Sequence, residues 1–152
     1  MYIWIVGGMG GILFSSLIDT KLSVGASTSL MATLGAFISF IVINWKALES
    51  NKTARCILFT ILLFVAIMQI LFGFASPNVD NWGHLGGILS GFFLGLTCIS
   101  ILRTDQNWQN LVGWTYEKVW KYIGIVIISL FFFLGYLLFY ISSKPIDNCI
   151  AN

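Results

Sequence analysis

The chain has 152 residues, 58% of them hydrophobic and only 9% charged, with a mean hydropathy of +0.91 and a formal net charge of +2. A soluble helical domain needs a charged face on its surface helices, so this composition excludes one. The small basic excess sits in loops between apolar stretches and gives no footing for nucleic acid.

Five stretches carry no Asp, Glu, Lys or Arg: residues 1–18, 22–45, 56–79, 81–102 and 122–143. About 20 apolar residues in a helix cross the roughly 30 Å hydrocarbon layer, and each stretch supplies about that many. The predicted fold class is an all-α polytopic membrane protein. One domain, residues 1–143, holds five transmembrane helices at about 2–18, 24–45, 56–75, 82–102 and 122–143, and a short lumenal or extracellular tail follows at 144–152.

The first span lacks a basic leader and carries Gly7, Gly8, Gly10 and Gly11, so it reads as a retained, closely packed helix rather than a signal peptide. The second opens on Ser23-Val24-Gly25-Ala26-Ser27-Thr28-Ser29. Serines at a helix start ordinarily cap it, and Ser23, Ser27, Thr28 and Ser29 all qualify. Lys46, Lys52, Arg55, Arg103, Lys118 and Lys121 gather in the second-to-third and fourth-to-fifth connections, against only Lys21 and Lys144 elsewhere. Basic loops stay cytosolic, so the chain starts inside, and the second and fourth spans both begin at the outer face.

The fourth span follows Pro77 and opens Asp80-Asn81-Trp82-Gly83-His84-Leu85-Gly86-Gly87, with the chain's single histidine. Gly83, Gly87, Gly91 and Gly95 recur every four residues, the spacing of one helix face, which reads as a packing stripe that turns His84 toward a neighbouring helix. Asp80 or Asn81 reads as the helix cap, in preference to Asp80 serving as a third catalytic group. Residues 107–116, with Trp108 and Trp114, read as an interfacial connector before the fifth span. Cys56, Cys98 and Cys149 form no disulfide framework, and without CxxC, HExxH or a histidine cluster no metal site and no cofactor are expected.

Ser27 and His84 lie a few residues below the outer boundary, about 9 Å and about 6 Å by helical rise, so they can meet at one shallow level. An imidazole, with an ordinary pKa near 6.5, is the usual base that makes a serine hydroxyl nucleophilic. Gly25, Ala26 and Ser27 put the serine in a first helical turn, whose unpaired N–H groups and positive dipole end can steady an oxyanion. Ser23, Ser27, Thr28, Asn81 and His84 would line a polar pocket shallow enough to admit water. The pattern expects a serine protease inside a membrane.

At these residues the chain resembles the rhomboid intramembrane serine proteases. The likeness rests on Val24-Gly25-Ala26-Ser27 followed by Leu34-Gly35-Ala36, and on Val79-Asp80-Asn81-Trp82-Gly83-His84-Leu85-Gly86-Gly87 followed by Gly91-Phe92 and Gly95. It covers roughly residues 1–101, and a further span after the histidine helix is similar to the secretase-type eukaryotic and protist members. The resemblance implies a Ser–His dyad, Ser27 as nucleophile and His84 as general base and acid, cleaving transmembrane segments of other membrane proteins. It also implies that these helices are the C-terminal part of a six-plus-one bundle, two spans of which, the second bearing a His and an Asn, would precede Met1. Residence in the Golgi, the secretory pathway or the plasma membrane is expected over the mitochondrion. Thr28 departs from a more common glycine, and Met31 stands where an aromatic often packs against the histidine. The alternative reading is a catalytically inactive rhomboid-like scaffold that binds membrane clients.

Overall fold

The computed structural model describes residues 1–18, 26–45, 48, 51–75, 79–99 and 112–142. They form five helices: α1 Tyr2–Ile18, α2 Ser27–Ile43, α3 Lys52–Ala75, α4 Asn81–Cys98 and α5 Val112–Ser142. No strand occurs among the described residues, so the chain is all-α, as the apolar stretches require.

Small residues set how the helices meet. α1 runs antiparallel to its neighbours: Gly11 lies against Thr28 and Gly83, and one turn earlier Gly7 lies against Ala32 and Gly91. α2 and α4 run in the same direction and form the most extensive pair. Along that seam Gly87 abuts Thr28, Gly91 abuts Ala32, and Gly95 abuts Ala36 and Ser39, so three of the four glycines of the predicted stripe face α2, while Gly83 lies beside Gly11 of α1. A methyl group on Gly87 would stand 2.5 Å from the Thr28 carbonyl oxygen and 3.2 Å from Met31 Cβ. Only a residue without Cβ allows backbones this close.

α5 covers α4 and α1, with Phe131 stacked on Phe14 at 6.2 Å, Gly124 against Leu96 and Thr97, and Gly135 against Leu13. α3 touches α2 and α4 more lightly. At one end the Arg55 guanidinium lies 4.1 Å over the Trp45 ring and donates to the Trp45 carbonyl, while Trp45 meets Phe59 edge-on at 5.8 Å. At the other end Gly73 lies against Val79 and Asn81. The helices therefore alternate up and down.

The centre holds small and hydroxyl residues, with Ala32, Ser39 and Ser90 all at 0% exposure, while Phe72 and Tyr140 on the outside are 70% and 74% exposed. Large apolar side chains outside and small residues within is the arrangement that lipid favours, because lipid gives helices no hydrophobic drive to associate. Two buried serine hydroxyls find partners: Ser90 Oγ donates to Gly7 O across α4 and α1 at 2.8 Å, and Ser39 Oγ to Ala36 O at 2.8 Å.

Helix ends differ from the charge-free windows, because charge marks where lipid ends and not where a helix ends. α3 begins at Lys52, before the uncharged stretch, with Asn51 Oδ1 accepting from Ala54 N at 3.3 Å. α5 begins at Val112 and carries an internal Glu117–Lys121 pair at 2.6 Å, so residues 112–116 are helical where a connector was expected; 107–111 lie outside the described residues. α4 stops at Cys98, short of 102: Thr97 Oγ1 bonds back to Leu94 O at 2.7 Å, and Ile99 is extended. α2 closes at Ile43, where the Asn44 backbone and side-chain N–H groups both reach Phe40 O. Two helices, over 52–73 and 116–141, are long and apolar enough to cross a bilayer; α1 and α2 are shorter apolar helices of 17 residues, about 26 Å each.

Candidate active site

Ser27 is the first residue of α2 and is exposed, and the N-cap before it is Ala26, which offers no side-chain cap. A serine or threonine cap was expected here; the N-cap is instead Ala26, and an alanine at that position gives the first-turn N–H groups no side-chain acceptor. The first backbone bond there, Leu30 N to Ala26 O, spans 3.0 Å. Gly25 and Ser23, the other expected contributors, lie outside the described residues. Thr28, next in line, is 2% exposed, its methyl wedged against Gly11 and facing the layer of Gly83 O and Gly87 N.

At the start of α4, Asp80 is the N-cap: its Oδ1 accepts from Gly83 N at 2.8 Å, and His84 N reaches Asp80 O at 3.1 Å. The same Oδ1 accepts from the Ser15 hydroxyl of α1 at 2.7 Å. His84 is 5% exposed, and its Nδ1 is buried without a hydrogen-bond partner among the described residues. Asn81 Oδ1 lies against Gly73 of α3, and Trp82 packs on Phe14 at 6.5 Å.

The two helix starts thus share one end of the bundle. Thr28, which follows Ser27, and Gly83 and Gly87, which flank His84, occupy one layer with Gly11. Among the described contacts the Ser27 hydroxyl and the His84 imidazole are not hydrogen-bonded to each other. Such contacts commonly tighten only when substrate is present. Asp80 serves as the cap, the role read from its position. Met31 packs beside Gly87 on the α2–α4 seam. An apolar cavity of about 570 Å³, lined by Met1, Ile3, Trp4, Phe37, Phe40 and Ile99 among others, lies toward the opposite end of the bundle from Ser27 and His84. Among the described residues no three His, Cys, Asp or Glu side chains cluster as a metal would require. Sequence reasoning missed Ser15, whose signal was its spacing: Gly7, Gly11 and Ser15 continue one small-residue face of α1.

A family profile described as the Rhomboid domain matches residues 1–101, about two thirds of the chain. The chain belongs to the rhomboid family. Its relatives include RHOMBOID-like protein 5 of Arabidopsis thaliana, 39% identical over 111 residues, which cover 71% of this chain and 34% of the relative. RHOMBOID-like protein 6, mitochondrial, of the same plant is 35% identical over 109 residues, 71% of this chain and 33% of the relative. The Rhomboid protease GluP of Bacillus subtilis (strain 168) is 32% identical over 93 residues, 61% of this chain and 17% of that protein. The chain spans about a third of the length of the plant relatives named here. No solved structure matches it. The family is membrane-resident and includes proteases, and the two long apolar helices fit a membrane location.

Proposed function

We propose that this chain carries the serine and histidine of a rhomboid intramembrane serine endopeptidase, with Ser27 as nucleophile and His84 as general base and acid. The observation that carries the reading is the close seam between α2 and α4, where Thr28 lies against Gly87 and so brings the two helix starts to one level. In the proposed reaction His84 takes the Ser27 hydroxyl proton as Oγ attacks the substrate carbonyl. It then gives that proton to the leaving amine, and a water, deprotonated in turn by His84, releases the acyl group. The uncapped N–H groups at Ala26 to Ser29 are available to part of the oxyanion's charge, with the α2 dipole behind them. No metal or cofactor enters this scheme. The substrates are transmembrane segments of other proteins, entering from the bilayer near the outer face. We assign residence to the secretory pathway or plasma membrane, to be read by fractionation.

Labelling with a fluorophosphonate in detergent tests the nucleophile. Wild type is expected to label and Ser27→Ala to remain unlabelled. Equal labelling of the two removes the assignment, and a folded wild type that never labels favours the inactive scaffold that binds membrane clients.

A further inference from the structure

Glycine faces let α4 approach α1 and α2 closely, but a face without side chains offers little to stop one helix sliding along another. Among the described residues two hydrogen bonds join α1 to α4 and its cap and supply that register. Ser90 Oγ to Gly7 O ties the middle of the pair, and Ser15 Oγ to Asp80 Oδ1, at 2.7 Å, ties the end that holds His84. Ser15 is 1% exposed, and Asp80 Oδ1 receives the Gly83 N–H as well, so a single oxygen joins the last turn of α1 to the first turn of α4. α1 is also the helix against which the start of α2 is seated, through Gly8 on Ser29 and Gly11 on Thr28. The height of His84 relative to Ser27 is therefore measured against one common element.

We propose that Ser15 is a positioning residue for His84, acting through the Asp80 carboxylate that caps α4. The proposal rests on the dyad reading above. Losing the tie lets the first turn of α4 shift without unfolding the bundle, and a displacement of about 1 Å at a reacting group can cost on the order of 10²-fold in rate. The effect falls on kcat and leaves KM, because the substrate segment is not touched by Ser15.

Two substitutions at Asp80 isolate the tie without disturbing buried Ser15. Asn keeps an oxygen long enough for both Gly83 N and Ser15 Oγ, whereas Ser keeps the cap but is too short to reach Ser15; both lose the carboxylate charge, so charge cancels in the comparison. In reporter cleavage by the full-length protein in membranes at pH 8, Asp80→Asn is expected within about threefold of wild type. Asp80→Ser and Ser15→Ala are each expected to lose about tenfold or more in kcat at unchanged KM. Adding Ser15→Ala to Asp80→Ser should cost nothing further, since both remove one contact. Ser90→Ala, which cuts the distant tie, should lower the melting temperature while keeping kcat. Equal kcat for Asp80→Asn and Asp80→Ser, or additive losses in the double variant, overturns the proposal. Full cleavage by Ser27→Ala in the same assay would sink the dyad reading instead, which keeps the two failures distinct.

Discussion

His84 is the one imidazole in the chain, it is 5% exposed, and its Nδ1 meets no partner among the described residues, an arrangement with a cost unless the ring has work to do. As a base it acts only when unprotonated, so cleavage should fall as pH drops through its pKa and level off above it. His84→Asn fills nearly the same space and cannot accept and return the proton. Cleavage of a reporter span should disappear while the variant inserts and melts as wild type does; substantial cleavage by that folded variant would end the dyad reading. The placement of Ser27 and His84 in the first turns of two helices was legible in the sequence because each opens an uncharged stretch a few residues below its boundary. The cap of α4 was legible as Asp80 or Asn81 from their place ahead of the apolar run, and Asp80 fills it. Its bond to Ser15 was not, since a hydroxyl inside an apolar stretch reads equally as a local back-bond, the choice Ser39 makes with Ala36 O.

Among elements, the α2–α4 seam carries the geometry, and its glycines differ in what a side chain would meet. A Cβ on Gly91 runs into the backbone of Ala32, which cannot move without moving α2. One on Gly135 meets the flexible tip of Leu13, at 2.8 Å. Gly91→Ala should therefore destabilise the protein in detergent by about 1–3 kcal/mol, the range for overpacking, and lower activity with it, whereas Gly135→Ala should stay near wild type. Equal melting shifts for the two would show that the α2–α4 seam gives way as freely as a side chain. The four-residue period announced this seam in advance, because only small residues at that spacing permit such approach. Helix ends were less readable. Charge located the lipid boundary at Arg55 and at Lys121, while local hydrogen bonding let α3 and α5 run past those charges and stopped α4 at Cys98.

For the whole molecule, the alternating helices and the basic residues make one joint claim about sidedness. The Arg55–Trp45 stack joins the start of α3 to the end of α2, and Cys98 ends α4, so Cys56 and Cys98 belong to the same end of the bundle; both are exposed thiols. Ser27, Asp80 and Ser15 belong to the other. On the expectation that basic segments stay cytosolic, Lys52 and Arg55 at the start of α3 and Lys118 and Lys121 in α5 would put the first end in the cytosol. With Cys149 replaced by serine, a membrane-impermeant maleimide should label Cys56 or Cys98 in inside-out vesicles and leave both unlabelled in right-side-out ones. Introducing Ser27→Cys should add labelling only in the right-side-out preparation, because the nucleophile proposed here would need water from the outer side. Labelling of Cys98 and of the Ser27→Cys thiol from one and the same side would contradict the parallel course of α2 and α4 across the membrane. It would remove the shallow outer site with it.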